Sequence, residues 1–307
     1  MHRRPILTIS AGRPAGGGDL SVLGRLLVAG IGAAAARYAL HEIRTSPAAP
    51  ALERTNFRGR TVTLAAGPAL AVGAAGAATA GATSVPAGAA TLVAGLGAGA
   101  VGLYDDVVGA RPEQKAAKGF AGHLAALRQG RVTAGLVKIA GVGAAGLAAA
   151  VLLSADPRVA GHPRRQRQGA LGRGVDVLLG AGVVAGTANL VNLLDLRPGR
   201  ALKSGLLLGA PLTAGGHGGI AAGAVGAAAG LLPVDLDEDV MLGDSGANAL
   251  GALLGVALAA RTGPVGRAGL LAVLAGLTAV SEKVSFTSVI ANTPGLRELD
   301  ALGRRTD

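Results

Sequence analysis

The feature that most constrains this chain is a series of apolar stretches separated by short segments that carry the charges. A helix of about 20 apolar residues crosses the roughly 30 Å hydrocarbon core of a bilayer. By that criterion we expect spans near 20–41, 61–81, 85–104, 133–155, 175–194, 204–216, 217–234, 245–261 and 265–280. The sequence therefore predicts an all-α, polytopic transmembrane bundle of about nine spans, forming one integral membrane domain over residues 1–307.

The composition agrees with a membrane bundle. The chain has 52 glycines and no Trp, with only two Tyr and three Phe. A soluble core draws much of its packing energy from aromatic side chains, whereas membrane helices use small residues to bring their backbones close. Low-complexity disorder is the alternative, but Leu and Val recur through every apolar stretch. The absence of cysteine excludes disulfides and thiolate metal sites.

The two ends of the chain lie outside the predicted spans. We expect residues 1–19 to form a flexible amino-terminal segment and residues 281–307 a cytoplasmic carboxy-terminal segment. Arg3 and Arg4 precede an apolar stretch as in a secretory signal, but Gly16 to Asp19 interrupt the pattern. We interpret the first stretch as a retained span, with cleavage as the alternative.

The orientation depends on the break between the sixth and seventh stretches, which is marked by Pro211 and the glycine cluster around His217. If they form one span, the topology after it inverts. With nine spans, most Lys and Arg share one side, which the positive-inside tendency assigns to the cytoplasm. Arg164, Arg165 and Arg167 form a basic patch on the other side. The net charge of +11 is then loop charge, and no nucleic-acid partner is expected.

Two groups of polar residues flank the third and fourth stretches. Asp105 and Asp106 end the third stretch, and adjacent helical residues point about 100° apart, so one can face a metal and the other a lysine. Lys118, His123 and Lys138 follow, and a lysine can neutralise phosphate charge. The alternatives are a solvated loop start, solvated lysines and a structural histidine.

Two further groups lie at the ends of later stretches. Asn189, Asn192 and Asp195 recur at a spacing of three, near one helical face, although the amides can instead form interhelical hydrogen bonds. Asp244 lies in Gly-Asp-Ser-Gly, where the glycines permit close approach to a metal or a phosphate. The same letters surround the nucleophile of chymotrypsin-like proteases, but nothing here supplies their β-barrel or their partner His and Asp.

Taken in order, these motifs resemble those of the polyprenyl-phosphate sugar-1-phosphate transferases. That family includes phospho-N-acetylmuramoyl-pentapeptide transferase and the N-acetylglucosamine-1-phosphate transferases. The resemblance runs from about residue 54 to the ninth stretch, and its specificity lies in the set rather than in any one motif. It is carried by Asp105-Asp106, Lys118-Gly119, Asn189-x-x-Asn192-x-x-Asp195 and Met241-Leu242-Gly243-Asp244-Ser245-Gly246.

The resemblance implies a multi-pass cell-membrane enzyme with a cytoplasmic active-site cleft. It would move a sugar-1-phosphate from a UDP-sugar to a polyprenyl phosphate, releasing UMP, in cell-envelope polysaccharide or peptidoglycan-type synthesis. Its cofactor would be Mg²⁺, or Mn²⁺ in its place, and a homodimer is compatible with it. The implied roles are catalytic for Asp105, Asp106 and Lys118, substrate-binding for Asn189, Asn192, Asp195, Lys138 and His123, and metal-binding for Asp244.

The chain also departs from the family pattern. Leu196-Arg197-Pro198-Gly199-Arg200 replaces the usual Gly-Leu-Asp-Gly-type segment, and Ser281 to Phe286 stand where a histidine-rich loop is expected. A tenth span is missing. The donor sugar therefore stays open, as does the choice between direct attack by the lipid phosphate and a covalent aspartyl intermediate. A catalytically silent scaffold for envelope assembly and a membrane transporter are the alternative functions.

Overall fold

A computed structural model of the chain describes residues 19–56, 58–111 and 119–305. Helices account for 76% of the structure. In the described ranges the only sheet is a hairpin of β1 (Glu53–Thr55) and β2 (Thr61–Thr63), with Glu53 opposite Thr63. The all-α prediction is confirmed, whereas the predicted flexible segment lies outside the described residues apart from Asp19.

The described residues form eight helices of 15 or more residues and six shorter ones. The longer ones are α1 (Val22–Thr45), α2 (Ala66–Ala80), α3 (Val85–Tyr104), α5 (Ala134–Ser154), α8 (Ala170–Leu194), α10 (Gly218–Leu236), α11 (Gly243–Arg261) and α12 (Pro264–Ser281). The shorter ones are α4 (Gly119–Arg128), α6 (Pro157–Ala160), α7 (Pro163–Gln166), α9 (Arg200–Gly209), α13 (Phe286–Asn292) and α14 (Leu296–Ala301). A π-helical turn over Asp105–Gly109 extends α3.

Within the described part of the chain, six helices are long and apolar enough to cross a membrane, namely α1, α3 with its π-turn, α5, α8, α10 and α12. This confirms a polytopic helical membrane protein. The apolar helix α2 has 15 residues, and α9 has ten, which is about 15 Å of helix. A count of nine spans therefore stays a prediction.

Helix α11 lies at the centre of the bundle. It contacts α2, α3, α5, α8, α9 and α10, and every residue from Ser245 to Ala257 is buried. The peripheral helices differ, since α1 exposes large apolar side chains such as Val22 (71%) and Leu26 (64%). Such side chains form the lateral surface that faces lipid, so α11 is shielded from lipid by its neighbours.

Hydrogen bonds define the two ends of the bundle. We call one the aspartate end, where Asp105, Asp106, Asp195 and Asp244 lie. At the other, the opposite end, the Asp156 carboxylate accepts a hydrogen bond from the Ser84 hydroxyl and lies 3.3 Å from His217 Nε2. Ser84 precedes α3, Asp156 follows α5 and His217 precedes α10. One carboxylate thus joins three loops there.

The predicted break between the sixth and seventh stretches is confirmed. Helix α9 ends at Gly209, a 3₁₀ turn covers Pro211–Thr213, and α10 begins at Gly218. Proline lacks the N–H that a continuing helix needs, which explains the stop. Helix α9 is accordingly shorter than the 204–216 stretch, although it begins earlier, at Arg200.

The stretch predicted over 61–81 differs at its beginning. Its first residues form β2, and α2 starts only at Ala66. Thr61, Val62 and Thr63 are β-branched, which favours a strand, and the Thr63 carbonyl accepts the Met241 N–H at 2.8 Å. The hairpin is therefore held to the loop that precedes α11.

The carboxy-terminal segment folds back across the aspartate end. Asp300 pairs with the Arg200 guanidinium through two hydrogen bonds of 2.8 and 2.9 Å. Lys203 Nζ donates to the carbonyls of Leu299, Asp300 and Leu302. Helix α14 is thereby fixed to the beginning of α9.

Helices α1 and α10 pack backbone against backbone. A Cβ on Gly32 would lie 2.4 Å from the Gly223 carbonyl oxygen, and a Cβ on Gly226 would lie 2.0 Å from that of Ala29. Real Cβ atoms do not come so close, so these positions require glycine. The many glycines of the sequence thus have a packing role at this contact.

We expect Gly32→Ala to lower the free energy of unfolding by roughly 1–3 kcal/mol, because the added methyl forces α1 and α10 apart. Gly30→Ala is the matched control, since nothing lies within 4 Å of its Cβ position and alanine favours helix by about 1 kcal/mol. Thermal unfolding in detergent measures both. Equal melting temperatures for the two variants would contradict this close contact.

Candidate functional site

Lys138 lies between two carboxylates at the aspartate end. Its Nζ is 2.8 Å from Asp105 Oδ2 and 2.6 Å from Asp244 Oδ2. The three side chains come from the π-turn after α3, the first turns of α5 and the first turn of α11, and they keep 15–24% of their surface exposed. One ammonium thus offsets the repulsion between two carboxylates.

Asp106 points away from that pair and caps α11. Its Oδ1 accepts the N–H of Asp244 and its Oδ2 accepts the N–H of Ser245, both at 2.9 Å. The first N–H groups of a helix have no partner inside the helix, and the positive end of the helix dipole stabilises a carboxylate. Arg54 Nη2 donates to the Asp106 carbonyl at 2.7 Å and holds this turn from the hairpin.

The chain enters α11 through Gly243, whose φ is +63°. Side chains rarely adopt that region, and a Cβ at this position would lie 3.0 Å from both Asp106 oxygens. Glycine therefore lets the Asp106 carboxylate reach the helix end. The Gly-Asp-Ser-Gly motif forms the first turn of α11, and two of its N–H groups donate to the Asp106 carboxylate, which follows α3.

Asp195, at the end of α8, approaches the same helix end. Burial, followed by the charges of Asp235, Asp244 and Asp106, raises the pKa of Asp195 well above its ordinary value, and the nearby Gly243 N–H opposes this only in part. Asp195 therefore binds a proton more readily than an exposed aspartate does.

A cavity of about 190 Å³ opens beside Asp195. Its apolar wall includes Val62 and Met241, and its polar groups include Asn56 and Glu238, which are joined by a 2.9 Å hydrogen bond. Mostly apolar cavities with a few placed polar groups are typical of small-molecule sites. The hairpin, the α8–α9 loop and the α10–α11 loop all contribute to it.

The carboxylates that share Lys138 fit a Mg²⁺ site. Among the described residues, no group of three or more His, Asp or Glu is arranged to hold a metal. Mg²⁺ is usually bound through one or two carboxylates together with substrate phosphates. Asp244 and Asp105 supply that number of hard oxygen ligands, so the metal role of Asp244 stays a prediction with a suitable donor set.

The structure therefore brings five of the predicted site residues together, namely Asp105, Asp106, Lys138, Asp195 and Asp244. Lys118 lies outside the described residues. His123 belongs to α4, but its side chain is not among the described ones. Their roles stay predictions.

The two predicted amides behave differently from Asp195. Asn189 Nδ2 donates to Thr278 Oγ1 of α12 at 3.0 Å, which is the interhelical alternative. Two steps of three residues turn an α-helix about 120° away from its starting face, so Asn189 and Asp195 do not share a face. Asn192, one turn before Asp195, is partly buried, and its substrate role stays a prediction.

Sequence reasoning missed several residues that shape this end. Arg54 holds the Asp106 turn, and Asp235 accepts the Gly199 N–H at 2.6 Å. Asn248, one turn after Asp244, is buried, and its Nδ2 has no partner among the described residues. An amide inside an apolar stretch was an available signal for Asn248, whereas no spacing pattern indicated Arg54.

We expect Asp106→Asn to lower the free energy of unfolding by about 1–2 kcal/mol, because an amide keeps one acceptor oxygen for two N–H donors and loses its charge at the helix end. Asp105→Asn is the matched neighbour that leaves the cap intact. Denaturation in detergent compares them. A larger loss for Asp105→Asn than for Asp106→Asn would contradict the capping role.

A comparison with protein-family models finds none that matches this sequence, and a comparison with curated proteins likewise finds no match. The resemblance of the ordered motifs therefore stays an expectation. A function for this protein must therefore be inferred from the residues of the aspartate end.

Proposed function

We propose that this protein is a multi-pass membrane enzyme that transfers a sugar-1-phosphate from a UDP-sugar to a polyprenyl phosphate and releases UMP, with its aspartate end in the cytoplasm. One observation carries the proposal: Asp105, Lys138 and Asp244 form a partly exposed cluster at the end of a membrane bundle. A lipid-borne phosphate and a water-soluble diphosphate can meet at such a place.

The proposed reaction is an in-line displacement at phosphorus. An oxygen of the lipid phosphate attacks the β-phosphorus of the donor, and a new P–O bond forms. The bond from that phosphorus to the bridging oxygen breaks, and UMP leaves with the oxygen and the electron pair. The products are UMP and a lipid diphosphate-sugar, so atoms and charge balance.

Each side chain of the cluster has a role set by its contacts. Asp105 orients the acceptor phosphate and takes its proton. Lys138 offsets charge on the donor diphosphate. Asp106 is a positioning residue, since both of its oxygens accept N–H groups of α11. When bound by Asp244 with Asp105 beside it, Mg²⁺ would neutralise charge on the donor phosphates.

The cavity beside Asp195 suits a part of the donor that lies away from the metal-binding end. It is flanked by Asp195 and Arg197 and connects the hairpin to the loop before α11. A protonated Asp195 would donate a hydrogen bond to a hydroxyl or a carbonyl of the nucleotide-sugar. Asn192 would lie at the border of the same region.

The proposal includes nine spans, with α2, α9 and α11 crossing among longer neighbours. The loops between helices alternate between the aspartate end and the opposite end along the chain. Arg200 contacts Asp300 at the aspartate end, and His217 contacts Asp156 at the opposite end. Short or polar segments are tolerated at membrane depth where other helices bury them. The carboxy terminus would then lie in the cytoplasm.

Reporter fusions test this topology. A reporter after residue 305 and one inserted at Gly216 should lie on opposite sides of the membrane, with the first in the cytoplasm. A fusion at Gly161, in the α6–α7 loop, serves as a control that should match Gly216. Finding the carboxy terminus and Gly216 on the same side of the membrane would contradict the nine-span topology.

Transfer itself is tested with purified membranes, polyprenyl phosphate and a panel of radiolabelled UDP-sugars. We expect Asp244→Asn to lower UMP release at least about a hundredfold and to weaken its Mg²⁺ dependence, because the metal loses an anionic ligand. Ser245→Ala is the matched control. Its hydroxyl donates to the Gly99 carbonyl, a contact that contributes about 1 kcal/mol to stability and leaves substantial activity.

Three outcomes would count against the proposal. An inactive Ser245→Ala beside an Asp244→Asn that responds to Mg²⁺ like the parent would point to a serine-centred mechanism. A folded parent that releases no UMP with any donor would favour the scaffold alternative. Uptake of a UDP-sugar into vesicles without a lipid product would favour a transporter.

A further inference from the structure

At the opposite end, the segment between α5 and α8 forms a cavity of about 460 Å³. Ser154 at the end of α5, Arg165 and Gln166 of α7, and Arg173 and Gly174 of α8 are among its lining residues. The volume is many times the roughly 30 Å³ that one water occupies in the liquid. This cavity is separate from the aspartate end and has no part in the proposed transfer.

The cavity is positively charged. Arg165 and Arg173 line it, and none of the described residues that line it is acidic. Arg165 is almost fully buried (6% exposed) and is held by the buried Asp176 at 2.9 Å. Arg173 Nη1 donates to the Gln168 carbonyl at 2.9 Å. The Arg165 guanidinium is thus held in place before any ligand arrives, whereas Arg173 is exposed at the cavity.

A buried ion pair supports the position of Arg165. Arg267 of α12 also contacts Asp176 Oδ2, at 2.8 Å, so two arginines share one carboxylate oxygen. Asp176 Oδ1 is buried and has no partner among the described residues. The three charges sum to +1, so the one carboxylate of Asp176 does not neutralise both arginines.

An apolar surface continues from the cavity towards the middle of the bundle. On α5, Val151 and Leu147 lie three and seven residues before Ser154, on the same helical face, and are 52% and 41% exposed. On α8, Leu178 lies four residues after Gly174 and is 62% exposed. An acyl chain beside these side chains would place its headgroup at the two arginines.

We propose that this cavity binds the phosphate of an anionic membrane phospholipid, with one acyl chain along Val151 and Leu178. The site accounts for the buried Arg165 of the basic patch, whose place at the opposite end runs against the positive-inside tendency. A free phosphate ion would share the headgroup chemistry, but the apolar surface that continues from the cavity favours a lipid.

The test uses the absence of Trp from the chain. A parent protein carrying Leu178→Trp, reconstituted in phosphatidylcholine vesicles, reports lipid contact at this position when brominated lipids quench its fluorescence. We expect brominated phosphatidylglycerol to bind there at least about fivefold more strongly than brominated phosphatidylcholine, because each arginine near a headgroup contributes about that factor.

Arg173→Gln should reduce this preference about fivefold, since it removes a cavity guanidinium and leaves the Arg165–Asp176 pair intact. Arg167→Gln is the matched control, because Arg167 is exposed in the same segment and is not among the cavity-lining residues. Arg165→Gln is less suitable, because the buried Asp176 would lose one of its two arginine partners, and this can impair folding.

Equal quenching by the two lipids in the parent would overturn the proposal. Equal losses in Arg173→Gln and Arg167→Gln would also overturn it, because they would show a diffuse surface charge rather than a site. Relief of phosphatidylglycerol quenching by inorganic phosphate at constant ionic strength would overturn the lipid assignment and identify a soluble anion as the ligand.

Discussion

The capping of α11 by the Asp106 carboxylate is the interaction on which the rest of the aspartate end depends. Asp106 accepts the N–H groups of Asp244 and Ser245, and Asp195 lies beside the N–H of Gly243. Helix α11 is the central helix, so the position of its first turn sets where Asp244 meets Lys138 and Asp105. The cluster of Asp105, Lys138 and Asp244 and the core of the fold therefore share one helix end, and Asp106 has a structural role there.

The sequence predicted the helical elements well, because hydropathy and the glycine and proline breaks are local properties. It also placed Asp105, Asp106, Asp195 and Asp244 at helix ends, which the structure brings together. It did not reveal that Asp106 caps α11, because that contact joins residues 138 positions apart. The regular spacing of Asn189, Asn192 and Asp195 was misleading. A helical turn has 3.6 residues, so each step of three residues moves the side chain further around the helix.

The two ends of the bundle use their charges differently. At the aspartate end, the carboxylates of Asp105 and Asp244 share the one ammonium of Lys138, a balance that suits a bound cation. At the opposite end, buried Arg165 and Arg267 outnumber Asp176, and this favours a bound anion. Between them the interior is built largely of alanine, leucine and valine, so neither set of charges is offset by the other across the hydrocarbon layer.

The contact of Asp300 with Arg200 has a consequence for how the protein is made. Asp300 is synthesised 100 residues after Arg200, yet it holds the beginning of α9, directly after the loop beside Asp195. Helices α10, α11 and α12 are synthesised before this restraint exists. The aspartate end thus reaches its final arrangement only after Asp300 has left the ribosome, and a shorter nascent chain already in the bilayer still lacks it.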